Sequence, residues 1–189
     1  MLNLLGLKRL LTRLAITTSA MAILAGVAGA EVSEEAARRD CFSRELTVNS
    51  VSLSDDWATI QSRKGAPTTL DRGENLDLAG TRTFANWEDL TVGLGDQFSG
   101  RALPLSLRGS KLEFEDCQLL RGDPNEKVVD FFRSKLQVAP RILGDDSFMT
   151  YLVDIKGPSG AKAFTITAIV VDGKFEEAFL CWLPEDRVD

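Results

Sequence analysis

Residues 148–183 read FMTYLVDIKGPSGAKAFTITAIVVDGKFEEAFLCWL. Three runs rich in β-branched and aromatic residues, 148–155, 163–171 and 174–183, are separated by Gly157-Pro158-Ser159-Gly160 and by Asp172-Gly173. Asp-Gly supplies the positive φ angles of a two-residue hairpin turn, so the last two runs are expected to pair antiparallel. The stretch therefore predicts a three-strand meander. It sets the fold class as α+β: antiparallel meander sheets with short helices packed on one face.

Upstream, the best helix signal follows a strand expected over 111–119. Asp123 as N-cap, Pro124 at the first helical position and Glu126 at the third form a capping-box arrangement. Val128, Val129, Phe131, Phe132 and Leu136 then share one face, and the helix is expected to stop before Pro140. An earlier strand is predicted over 46–53. It leads to a helix capped by Ser54, with Asp55 and Asp56 in its first turn and Trp57, Ala58 and Ile60 as its apolar stripe; Gly65 and Pro67 close it. Residues 68–81 are polar and read as a long loop. Strands are expected at 84–94 and 102–107, joined by Gly95-Asp96 and Ser99-Gly100, with Pro104 marking an edge. Gly93-Leu94-Gly95 lacks the rest of a dinucleotide fingerprint and reads as a turn.

At the amino end, Lys8, Arg9 and Arg13 precede an apolar stretch over 14–28 that ends in Ala28-Gly29-Ala30. That is the pattern of a secretory signal peptide cleaved after Ala30. Thr17, Thr18 and Ser19 interrupt a run too short for a membrane anchor, and Val27 stands where a lipoprotein signal needs cysteine. The expected product is exported, to the periplasm or beyond, with no stable membrane anchor. Its segments are the signal at 1–30, an amino-terminal segment at 31–45, and two α+β units at 46–110 and 111–189. Cleavage removes three of the 22 basic residues and none of the 28 acidic ones, so the net charge moves from −6 to −9. An acidic surface argues against nucleic acid as a partner.

The chain has no histidine, which removes Ser-His-Asp and Cys-His catalysis and His-ligated metal sites. Three cysteines are too few for a four-cysteine zinc site. In an oxidising compartment they suggest one disulfide: Cys41 with Cys117 is favoured, and Cys181, on the apolar face of its predicted strand, is left free or as the alternative partner. No cofactor is implied, and no catalytic residues emerge. Glu115-Asp116 and Glu176-Glu177 are neighbours on strands and point to opposite faces, which is not the paired carboxyl geometry of a glycosidase. Asp145-Asp146 reads as turn chemistry, and Glu113 and Asp154 as solvated acids. The acidic loop of Asp71, Glu74, Asn75 and Asp77 lacks calcium-loop spacing. A carboxylate-dependent hydrolase is thus the weakest reading.

The two halves resemble each other. In each, a helix leading to Ala-Pro (Ala66-Pro67, Ala139-Pro140) is followed by a loop, an aromatic strand, a Ser-Gly turn (Ser99-Gly100, Ser159-Gly160) and an alternating apolar strand. Spacings differ by several residues, so duplication and coincidence both remain open. The order of strand, Gly122-Asp123, amphipathic helix, a Gly65-Ala66-Pro67 type stop and meander is similar to the SmpA/OmlA (BamE-like) module, which occurs in tandem in the β-lactamase-inhibitor protein fold. Leu53-Ser54 replaces the glycine in the first unit, no glycine precedes Ala139-Pro140 in the second, and the lipid-bearing cysteine is missing. The resemblance implies a non-enzymatic protein-binding module of the cell envelope: an assembly factor, an inhibitor or an immunity protein.

The partner surface is expected at Trp87 and Trp182, read as tryptophans on the polar sides of their strands, where interface aromatics concentrate. Alternation places Phe175, Phe179, Cys181 and Leu183 together on the opposite face from Trp182. The alternative is a single NTF2-like or cystatin-like domain whose Phe148, Tyr151, Phe164 and Phe179 line a pocket for a small apolar ligand.

Overall fold

The structure is a computed structural model and describes residues 39, 41–74, 81–95, 98–156 and 162–182. The expected signal segment ending at Ala30, the turn expected at 157–160, Asn75, Asp77 and Leu183 lie outside the described residues.

A helical turn at 41–45 leads into a hairpin of β1 (Thr47–Val48) and β2 (Val51–Ser52). The strand expected over 46–53 is thus two short ones, because Asn49 and Ser50 both take positive φ, 50° and 65°, and reverse the chain. Helix α1 (Trp57–Lys64) follows, and its N-cap is Asp56 rather than Ser54: the Asp56 carboxylate accepts the Thr59 N–H at 2.8 Å. Gly65 ends it at φ 76° as anticipated.

Four strands come next: β3 (Thr69–Glu74), β4 (Thr81–Asn86), β5 (Leu90–Leu94) and β6 (Ser106–Gly109). Four sequence expectations are corrected here. The loop over 68–81 contains β3 and the start of β4. The strand over 84–94 is broken at Trp87, Glu88 and Asp89, where Trp87 N–H closes the turn on the Leu90 carbonyl at 2.8 Å. Gly93 and Leu94 belong to β5, and Pro104 is buried just ahead of an interior strand rather than on an edge.

The second half repeats this order. The hairpin of β7 (Lys111–Phe114) and β8 (Cys117–Leu120) turns at Glu115, φ 54°. Helix α2 (Asn125–Asp130) then runs into a π-helical turn (Phe131–Lys135). Pro124, not Asp123, stands at the cap position. The Asp123 carboxylate instead accepts the Leu120 N–H at 2.7 Å and pairs with Lys127. The i→i+5 bond from Leu136 N–H to the Phe131 carbonyl widens the turn, so Phe131, Phe132 and Leu136 are all buried together with Val128. The meander that follows has four strands: β9 (Arg141–Asp145), unforeseen, then β10 (Phe148–Lys156), β11 (Lys162–Val171) and β12 (Lys174–Trp182).

Each half is therefore a hairpin, a helix and a four-strand meander. The hairpins join through β1 and β7 into a sheet ordered β2-β1-β7-β8, and the meanders join through β6 and β12 into one ordered β3-β4-β5-β6-β12-β11-β10-β9. Both junctions are antiparallel, with Val48 opposite Leu112 in one and Leu107 opposite Leu180 in the other. Local bonds match too. Asp55 and Asp123 each accept an N–H three residues back, from Ser52 at 2.8 Å and Leu120 at 2.7 Å. The first residue of each helix donates its N–H to the loop before the last strand of its meander: Trp57 to Ala102 at 2.8 Å and Asn125 to Gly173 at 2.9 Å.

The small sheet and both helices lie on one face of the large sheet. That inner face buries Ala85, Val92, Leu107, Tyr151, Val153, Phe164, Ile166, Ala168 and Leu180, and Phe132 stacks on Tyr151 with ring centroids 6.0 Å apart. Burying such side chains is the main favourable term in folding, about 1.5–3 kcal/mol each.

Candidate functional site

Strand pairing settles which side chains share the other face. Across the middle of the large sheet run Thr69, Asn86, Thr91, Arg108, Phe179, Thr167, Leu152 and Arg141, each directly opposite the next. A neighbouring row holds Asp71, Phe84, Gly93, Ser106, Cys181, Thr165 and Asp154. None of these residues except Gly93 is buried, whereas on the six inner strands, β4, β5, β6, β10, β11 and β12, most of their neighbours along the strand are in the core. Among the described residues no strand or helix covers this face.

At its centre, on the β6–β12 seam between the halves, Arg108 forms a fork on Glu177: Nε to Oε2 at 2.8 Å and the second nitrogen to Oε1 at 2.9 Å. The same guanidinium lies 4.9 Å from the ring centroid of Phe179. A planar cation held over an aromatic ring by a bidentate carboxylate is rigid and amphipathic, which suits it to recognition. Beside it, Phe84 packs across the bare backbone of Gly93; a Cβ on Gly93 would collide with the Ser106 hydroxyl and sit 3.5 Å from the Phe84 ring. Toward β9 the face becomes aliphatic, with Leu152, Ile169 and Leu143, and ends at Phe148, 49% exposed. A cavity of about 390 Å³ opens at one end of the seam, lined by Trp87, Glu88, Asp89, Arg108, Arg121 and Glu177.

The expected tryptophans are not on this face. Trp87 turns toward the core, its ring 5.9 Å from that of Trp57, and its buried indole N–H has no hydrogen-bond partner among the described residues. Trp182 lies on the inner face, 5.6 Å from the Phe164 ring, paired opposite it. The alternation that put Trp182 outside fails because Glu176 is a bulge: Val170 faces Phe175 while Ile169 faces Glu177. One extra residue inverts the parity of everything after it. Hence Ala178 and Leu180 face the core, and Phe179 and Cys181 face outward. A bulge leaves no mark in a hydrophobic pattern this short, which is why Phe179 was assigned to the apolar face; Arg108 was missed because a lone arginine on a strand carries no pattern of its own.

The bulge turns Phe179 away from the expected apolar pocket, and alternation along β10 sets Phe148 opposite in face to Tyr151. Tyr151 and Phe164 are core residues, while Phe148 and Phe179 sit on the outer face, so the four do not line one cavity.

None of the three cysteines is in a disulfide. The expected Cys41–Cys117 pairing is replaced by separate environments. Cys41 packs against the core from the helical turn. Cys117 opens β8 with its thiol donating to the Asp116 carboxylate at 3.4 Å, and the nearby Cys117 sulfur, with the Asp116 charge, holds the Lys135 amine above its ordinary range. Cys181 is on the outer face, its thiol 3.4 Å from the Trp182 carbonyl, rather than packed in the interior.

The acidic residues sit against cations and hydroxyls. Glu113 pairs with Lys111 at 2.7 Å, Asp154 with Arg141 at 2.9 Å and Glu176 with Arg121 at 3.1 Å. Burial pushes the Glu113 carboxyl up, but Lys111 and the Ser50 bonds outweigh it and hold the group below its usual range. Asp145 does form the turn anticipated for it, accepting the Ser147 hydroxyl and the Ser147 and Phe148 N–H groups, and these bonds, the hydroxyl foremost, depress its pKa. Asp71 accepts from Thr69 and Asn86.

No family model, curated protein or solved structure matches the chain.

Proposed function

We propose that this is an exported, non-enzymatic protein-binding module of the cell envelope that grips its partner with the open face of the eight-stranded sheet. The observation that carries the reading is the amphipathic centre of that face, Arg108 over Phe179 with Phe84 and Leu152 to either side, left uncovered among the described residues. Arginine and aromatic residues are the side chains that dominate interface energetics, and a rigid sheet presents them at little entropic cost. The repeated order of hairpin, helix and meander supports the reading of the chain as two tandem units, 46–110 and 111–189, of the SmpA/OmlA type. The site then belongs to the seam that only both units together create.

The test is affinity capture from envelope and culture fractions with the chain expressed in full, comparing wild type with Phe179→Asp and Arg108→Glu. A partner retained near one-to-one by wild type and lost from both folded variants is the expected result. A partner held equally by all three, or nothing retained above an unrelated acidic control, refutes the assignment. Intact mass of the recovered protein reads the export step, which is expected to remove residues 1–30.

A further inference from the structure

The two ends of the large sheet are not alike. At β3 the edge is interrupted by Asp71 and Arg72, the charged blunting common on natural edge strands. At the other end, β9 reads Arg141-Ile142-Leu143-Gly144-Asp145 and is exposed at every residue, with Ile142 and Leu143 each 51% open. Among the described residues it pairs only with β10, so half of its backbone groups lack a strand partner.

The sequence of β9 is complementary to itself. Laid antiparallel on a second copy with Leu143 on the two-fold axis, Leu143 meets Leu143, Ile142 meets Gly144, and Arg141 meets Asp145, twice by symmetry. Arg141, Leu143 and Asp145 all point to the outer face, because they pair with Leu152, Thr150 and Phe148. Their side chains would therefore lie side by side on one surface. On the inner face the exposed Ile142 would cover the one position of the strand that has no side chain, Gly144. The charges are already placed for this. Arg141 reaches Asp154 at 2.9 Å yet stays 62% exposed, and the Asp145 carboxylate is fixed in place by the Ser147 hydroxyl and the Ser147 and Phe148 N–H groups.

We propose that the protein dimerises through β9, edge to edge and antiparallel, so that two eight-stranded sheets become one continuous sheet with both recognition faces on the same side. The occupant of the edge is a second copy, since opposite charges fall in register at both ends of the contact and a leucine pair falls at its centre. The inference does not depend on the identity of the face's partner.

A contact built on a five-residue strand is small, so the dimer is expected to dissociate on dilution. Sedimentation of the full chain over a wide concentration range should show reversible monomer–dimer exchange. Leu143→Lys places two ammonium groups on the axis, and Arg141→Asp sets like charges opposite at both ends; each should weaken association by about tenfold or more. Leu143 is exposed, so Leu143→Lys is expected to fold, as circular dichroism will show. The decisive arm mixes Arg141→Asp with Asp145→Arg, both checked for folding. Each alone repels itself, but together they restore both opposite-charge contacts and should form a mixed dimer. A wild type that stays monomeric at every concentration, a dimer indifferent to Leu143→Lys, or folded charge variants that fail to associate when mixed would each overturn the proposal.

Discussion

At Gly109 the two layers approach closely, and Gly109→Ala tests how they meet. The glycine lies on β6 at the seam, opposite Ala178 of β12 and Leu90 of β5. A methyl group there would overlap the Asn49 side-chain oxygen, approach Val48 Cγ1 to 2.7 Å and the Asp89 carbonyl oxygen to 2.9 Å. Two of these neighbours cannot swing away: Val48 is fully buried in β1 and Asp89 contributes backbone. Asn49 can move only by giving up its bonds, Nδ2 to the Asp89 carboxylate at 2.8 Å and Oδ1 from the Lys111 N–H at 3.2 Å.

Overpacking a tight site costs about 1–3 kcal/mol. A lost bond to a backbone donor adds roughly 0.5–1.5 kcal/mol. The Asp89 side chain is 46% exposed, so its bond is screened and adds little beyond that. The sum is about 2–4 kcal/mol, read from urea or guanidinium unfolding as a fall in midpoint at unchanged slope. Asn49→Gly in the same background should recover about 1 kcal/mol or more, because position 49 sits at φ 50°, where glycine is at ease, and the overlap disappears. A Gly109→Ala protein within about 0.5 kcal/mol of wild type would refute the described approach of the hairpin to the large sheet.

Two further expectations concern the helix entrances. Asp56→Asn should flatten the acid limb of the stability curve while leaving neutral stability nearly unchanged, since asparagine also caps. The Thr59 side-chain and backbone bonds to Asp56, aided by Arg101, hold the folded pKa below the ordinary 3.8, so its contribution is complete above that pH and is lost as pH falls through the folded value. Unfolding midpoints measured from neutral to strongly acidic pH check this; an unaltered acid limb in the variant refutes it. Asp55→Ala and Asp123→Ala remove matching turn bonds and should each cost about 1–2 kcal/mol, with additive losses in the double variant. One costly and one neutral substitution would show that the two entrances are not equivalent.

Much of the architecture was legible in residue order because its cues are local. Asp172-Gly173 forms the turn between β11 and β12, with φ 48° and 72°. The apolar face of Val128, Phe131, Phe132 and Leu136 is buried as its spacing requires. The α+β class with meander sheets follows from such cues alone. Hairpins without glycine were read through: Asn49-Ser50 and Glu115-Asp116 reverse the chain where polar residues merely interrupt a β pattern. Strand β9 was hidden because a fully exposed edge carries no hydrophobic alternation.

The sequence by itself determined the acidic, histidine-free composition, the helix positions and the last three strands of the final meander. Each of these depends on groups a few residues apart, whose preferences act whatever the rest of the chain does. Only the tertiary structure decided that β6 meets β12, that a bulge at Glu176 turns Phe179 outward and Trp182 inward, and that Arg108 and Glu177, far apart in sequence, close over the seam. Such pairings depend on strand register between distant segments, and a one-residue shift in register exchanges the two faces of a sheet.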